Sequence, residues 1–155
     1  MVIFRIALVL LVSFISFDAW AEENIEHLKP KEIAKYVEDT KGQKRIIMIY
    51  ASWCPICVQK MPDIINLANI KADSVIAISV DENPKHFSRY IKRFKDVPFR
   101  VILNKGSEYK LAKAFEKFGV KEWEGVPEII LLDENNKVLG QGNYKMSYIT
   151  EFLFD

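Results

Sequence analysis

The chain has 155 residues, half of them hydrophobic, with 22 basic against 21 acidic side chains and a formal net charge of +1. A chain of this length fits one compact domain that buries about two-thirds of its unfolded surface. So even a balance gives no electrostatic reason to expect nucleic acid or an acidic surface as partner.

The opening stretch "MVIFRIALVLLVSFISFDAWA" has one basic residue, Arg5, an apolar run from Ile6 to Phe17 and a small-x-small end at Ala19-Trp20-Ala21. That is the pattern of a secretory signal peptide. The run falls short of the roughly 20 residues a membrane-spanning helix needs. The expectation is cleavage after Ala21, with residues 22–155 as the exported domain; an uncleaved leader would tether the protein to the membrane instead. Export permits a disulfide, because no glutathione pool keeps thiols reduced outside the cytosol.

From Glu22 to Pro30 no period is clear. "PKEIAKYVEDTKG" then puts Ile33, Tyr36 and Val37 on one helical face, with Pro30 suited to the first turn and Gly42 to the stop. Lys44–Ala51 is a continuous apolar run rich in Ile, as a strand buried on both faces would be. Helical spacing resumes at Met61, Ile64, Ile65 and Ala68, and a second apolar strand spans Ser74–Asp81. "NPKHFSRYIKRF" predicts an amphipathic helix with Phe87, Tyr90, Ile91 and Phe94 inward, and "PFRVILN" a short strand. "SEYKLAKAFEKFG" predicts a helix capped by Ser107 and stopped by Gly119. "VPEIILLDENNKVLGQG" reads as an antiparallel hairpin turning at Asp133–Asn136, and "YKMSYITEFLF" as a closing helix. This order describes a layered α/β domain with mixed strand directions, without repeats or linkers.

The two cysteines, Cys54 and Cys57, stand three positions apart in "ASWCPICVQKMP". Structural zinc needs about four ligands, and the mature part offers only His27 and His86, at no ligand spacing. Haem attachment needs His directly after the second Cys, and Val58 is there. As a purely structural bridge so short a loop restrains the unfolded chain by only about 2 kcal/mol. A dithiol held this close is well suited to forming and breaking its bond with little movement.

That chemistry needs a thiolate, and an ordinary Cys with pKa near 8.5 is only about 3 per cent ionised at pH 7. A strand ending near Ala51 and a helix beginning near Cys54 would set the first sulfur at the positive end of a helix dipole. A pKa of ~6.5 would make some 25-fold more nucleophile. Cys54 is then the nucleophile, and Cys57, one turn in and more buried, resolves the mixed disulfide.

The apolar strand, Trp53, the CxxC opening a helix and Pro62 five residues after Cys57 together resemble the thioredoxin superfamily. A second hallmark of that superfamily, a cis-proline ahead of a strand, is matched by Val126-Pro127 before "EIILLD". The resemblance runs from about Pro30 to Phe154 and is closest to the exported TlpA/ResA/CcmG-like branch. It rests there on the extra unit between the second strand and Pro127, on "GVPEIILLDENNKVL", and on Pro55 and Glu128, which match the CcmG subgroup.

The resemblance implies a thioredoxin fold, a central mixed β-sheet flanked by helices, with a helix-strand insertion. It implies a thiol-disulfide oxidoreductase that reduces protein disulfides in the periplasm, among them cysteines of cytochrome c maturation or of copper sites. Its partners would be proteins bearing Cys or disulfides and a membrane thiol electron donor. Trp53, Pro55, Ile56, the backbone of Val126 and Pro127 would form the substrate groove. The Cys54–Cys57 disulfide would itself be the redox group, with no metal and no organic cofactor.

Two positions depart from the branch. Lys60 stands where a Glu is usual, and a cation there would favour thiolate unless it is simply solvated. Met48 replaces the buried Asp of thioredoxin, leaving Glu128, Lys60 or water to handle protons. Stabilised thiolate would make an oxidant, so a disulfide oxidase or isomerase is the alternative. A non-enzymatic metallochaperone or adaptor is the rival from another class, since soft thiolates suit Cu(I), although the copper chaperones compared use a wider CxxxC and a distant His. Trp123 would line the groove or pack on the neighbouring helix.

Overall fold

The computed structural model describes residues 24–155, so the leader expected at 1–21 lies outside the described residues. In chain order the elements are β1 (Ile25–Leu28), α1 (Pro30–Asp39), β2 (Arg45–Tyr50), α2 (Pro55–Ile70), β3 (Val75–Ser79), α3 (Pro84–Ile91), β4 (Val101–Asn104) and α4 (Glu108–Phe115). A short 3-10 turn (Glu116–Phe118) follows, then β5 (Glu128–Leu132), β6 (Val138–Gly142) and α5 (Met146–Phe154).

One six-stranded sheet runs β1-β4-β3-β2-β5-β6. The first four strands are mutually parallel, while β5 is antiparallel to both β2 and β6. The active-site strand β2 thus lies between β3 and β5. Every residue of β2, β3, β4 and β5 is buried, as expected of strands covered on both faces.

Alternation along the strands divides the core. Ile46, Met48, Tyr50, Ile129 and Leu131 face α2, α3 and α5, where they meet Met61, Ile64, Phe87, Tyr90, Ile149 and Leu153. Ile47, Ile49, Ile76, Ile78, Ile130 and Leu132 face α1 and α4, against Ile33, Val37, Leu111 and Phe115. The helix ends follow local chemistry: Ser107 Oγ accepts from Lys110 N–H at 3.3 Å, and Gly119 takes the left-handed φ of 93° that stops the segment.

The expected thioredoxin-like architecture is present, and the helix-strand insertion is α3 and β4, with β4 placed between β3 and β1. Three details differ from the sequence reading, the first being that α1 ends at Asp39 with Thr40 as its C-cap, ahead of the Gly42 expected to stop it. β1 occupies the segment in which no period was visible: an edge strand of four residues, it is made by its ladder to β4 and by the Arg100–Glu26 ion pair. The α3 helix stops at Ile91, where Arg93 N–H and Phe94 N–H turn back onto the carbonyls of Tyr90 and Ile91. Phe94 still reaches the core, edge-on to Tyr90.

Candidate active site

β2 delivers the chain to the rim of the sheet, where Cys54 N–H closes a turn onto the Ala51 carbonyl at 3.2 Å. Cys54 is the N-cap of α2: its sulfur accepts from Cys57 N–H at 3.2 Å. Pro55 at the first helical position has no N–H that needs a partner. The sequence therefore sets the first sulfur where unpaired helix donors point.

Cys54 and Cys57 are joined as a disulfide with Cα atoms 5.2 Å apart, inside the ordinary range for such bridges. Cys57 is fully buried and Cys54 is 4 % exposed. The surface beside them is apolar, with Trp53 67 % and Ile56 47 % exposed.

Val126-Pro127 is a cis peptide bond, as the resemblance to the thioredoxin superfamily implies. The Val126 carbonyl oxygen lies 3.5 Å from Cys54 Sγ, while Val126 is half-buried and Pro127 buried. Trp53, Pro55 and Ile56 are the chain neighbours of Cys54, and all three are exposed.

Lys60 and Glu128 are placed differently. Lys60 is half-buried and its ammonium donates to the Tyr144 carbonyl at 2.7 Å, on the segment entering α5. Glu128 pairs in register with Ile49, so its side chain leaves the sheet on the α1/α4 face, whereas both cysteines belong to the α2 face. Only 8 % of Glu128 is exposed. Burial raises its pKa, opposed by the hydrogen bond from Gln141 Nε2 at 3.0 Å. Met48, the second departure, lies in the same buried cluster as both cysteines and itself brings no carboxylate to it.

The loop leading to Val126 is fastened by Gln141, which the sequence did not single out, and by Trp123. Gln141 on β6 grips both backbone groups of Lys121, accepting its N–H at 2.7 Å and donating to its carbonyl at 3.0 Å. Trp123 donates to Glu108 on α4 at 2.9 Å and packs on that helix's side of the core. It is the second of its two expected placements.

Asp81 was also missed. Two residues beyond β3, its carboxylate accepts from Ser52 N–H (2.9 Å), Ser52 Oγ (2.5 Å) and Ser79 Oγ (2.7 Å). The available signal was an acidic residue ending an apolar strand, since the carboxyl ends of parallel strands are where sites form.

The Redoxin family model matches residues 26–149. Among solved structures, the chain is similar to the thioredoxin domain of a thiol-disulfide oxidoreductase from Bacteroides vulgatus, with 19% identity, 74% of this chain and 82% of that one covered, and TM-score 0.58. The exposed lipoprotein thioredoxin of Streptococcus pneumoniae gives 22% identity, 76% and 87% coverage, and TM-score 0.57. StoA from Bacillus subtilis gives 24% identity, 72% and 83% coverage, and TM-score 0.53. At these identities the likeness speaks to the fold alone. No curated protein sequence gives a significant match. With the family model spanning most of the chain and the disulfide at the head of α2, the chain belongs to the Redoxin family as a thioredoxin-fold thiol-disulfide oxidoreductase whose redox pair is Cys54 and Cys57.

Proposed function

We propose that the protein works as a reductant of disulfides in exported proteins, in the periplasm, with haem-site or copper-site cysteines as the substrate class. In the reduced protein the Cys54 thiolate attacks a substrate disulfide, forming a mixed disulfide and expelling one substrate thiolate. Cys57 then loses its proton and attacks Cys54 Sγ. The substrate leaves as a dithiol and the Cys54–Cys57 bond closes, so two electrons pass to the substrate. A membrane thiol donor would restore the dithiol.

The observation that carries this reading is the Cys54 sulfur at the rim, 3.5 Å from the Val126 carbonyl and flanked by exposed Trp53 and Ile56. An extended substrate segment that paired with the Val126 backbone would bring its own sulfur to that point. Lys60, whose ammonium is directed at the Tyr144 carbonyl, gives no support to oxidation through a stabilised thiolate. The exposed lipoprotein named among the similar structures supports a place outside the cytoplasm.

The Cys57 N–H on Cys54 Sγ acts in the other direction, favouring thiolate, and supports the oxidase alternative. Acid-quenched thiol trapping in cells separates the two. A reductant holds Cys54 and Cys57 mostly reduced at steady state, whereas a pair found mostly oxidised, in cells with an intact donor, contradicts the proposal.

A further inference from the structure

Asp81 is 5 % exposed, and every donor on its carboxylate is neutral. Among the described residues no Lys or Arg pairs with it. Two of its three donors come from Ser52, which stands between Ala51, whose carbonyl takes the Cys54 N–H, and Trp53. Its backbone is fixed in turn, since Asp81 N–H donates to Ser79 Oγ at 3.0 Å and Val80 N–H to the Tyr50 carbonyl at 2.9 Å. The end of β3 thus carries an uncompensated buried charge tied directly to the turn that presents the reactive sulfur.

We propose that Asp81 is the positioning residue of this site: through Ser52 it fixes the turn that sets Cys54 at the head of α2, and its charge weighs the redox pair toward the disulfide. The sign follows from electrostatics. A nearby negative charge disfavours the Cys54 thiolate. A destabilised reduced form makes the pair a stronger electron donor. Met48 brings no carboxylate to the buried cluster that holds both sulfurs, and Asp81 supplies one from the neighbouring strand end.

The titratable groups around Asp81 are Tyr50 from β2 and Tyr90 from α3, with Arg93 just past the end of that helix. Burial holds both tyrosines protonated; Tyr90 and then Asp81 add to it at Tyr50, while at Tyr90, pushed up to about 12, Arg93 opposes it and Asp81 adds a smaller push upward. Neither therefore ionises in the range where a thiol at a helix start titrates.

This inference rests on the dithiol chemistry and not on the direction of electron flow. The test compares wild type, Asp81→Asn and Ser52→Ala, each checked for folding by circular dichroism. Thiolate absorbance of the reduced protein is followed against pH, and the redox equilibrium is read with glutathione. Asp81→Asn keeps the side-chain shape and removes the charge, so thiolate should appear at lower pH and the equilibrium should move about fivefold toward the dithiol. Ser52→Ala keeps the charge and loosens the turn, so exchange with a small disulfide should slow about threefold, while the equilibrium moves less than about twofold.

A folded Asp81→Asn protein with unchanged titration and equilibrium overturns the charge role, and an unchanged exchange rate in Ser52→Ala overturns the positioning role. Should Asp81→Asn fail to fold, Asp81→Ser, which also removes the charge, is read by the same titration and equilibrium, and Ser52→Ala decides the positioning role. The wild-type potential tests the reductant reading separately, because the present claim concerns only differences from wild type.

Discussion

Replacing Gln141 by Ala removes the amide that holds the groove loop in place. Three hydrogen bonds go with it, two on the backbone of Lys121 and one on Glu128. The two Lys121 bonds are exposed and fall at the low end of the usual scale, about 0.5 kcal/mol each. The third leaves the buried Glu128 carboxyl without its partner, which adds about 1.5 kcal/mol for a hydrogen bond to a charged group. A loss of about 2.5 kcal/mol corresponds to a fall in melting temperature of roughly 10 °C for a domain of this size.

The functional consequence follows from the loop's other end, where the Val126 carbonyl stands 3.5 Å from Cys54 Sγ. A loosened loop should cut kcat/KM for a disulfide within an extended polypeptide about tenfold, which is 1.4 kcal/mol of transition-state stabilisation. Reaction with a small disulfide, which makes no backbone pairing, should change less than about twofold. Stopped-flow Trp fluorescence with both substrates checks this. Equal losses on both substrates, or no loss on the polypeptide, would refute the role assigned to the loop.

The same carboxyl gives a pH prediction. Burial raises Glu128 above its unfolded pKa, so its folded form holds the proton more tightly. Its contribution to stability is therefore fully present below about pH 4.3 and is lost as pH rises through the elevated folded value. Glu128→Gln should flatten that slope and raise the melting temperature at pH 7, as calorimetry across pH would show. Trp53 is largely exposed, so Trp53→Ala should alter stability by less than about 0.5 kcal/mol, yet slow reduction of protein disulfides severalfold; a loss in stability alone would remove Trp53 from the groove. For Lys60→Met, loss of the bond to Tyr144 should cost about 1 kcal/mol in chemical denaturation, with the redox equilibrium moving less than about threefold. A larger shift toward the disulfide would return Lys60 to the tuning role that its spacing suggested.

What could be read from the sequence was local. The run Lys44–Ala51, the CxxC and the helical spacing from Met61 onward lie next to one another, so strand, turn and helix follow from neighbours. β1 was hidden because only Ile25 and Leu28 are apolar in it, and its formation depends on a strand more than 70 residues away. The face taken by Glu128 was hidden for a different reason. All five residues of β5 are buried, so no polar alternation marks which side each one faces. Asp81 with Ser52, Gln141 with Lys121 and Lys60 with Tyr144 are polar pairs separated by 29, 20 and 84 residues. Such pairs have no period, and only the sheet order brings them together.

The most direct test of the proposed function is the reduction potential of the Cys54–Cys57 pair, by equilibration with glutathione or dithiothreitol, read by Trp fluorescence and thiol alkylation. A value below about −220 mV is expected of a reductant of exported protein disulfides, and a value above about −150 mV would contradict that role and mark the protein as an oxidant.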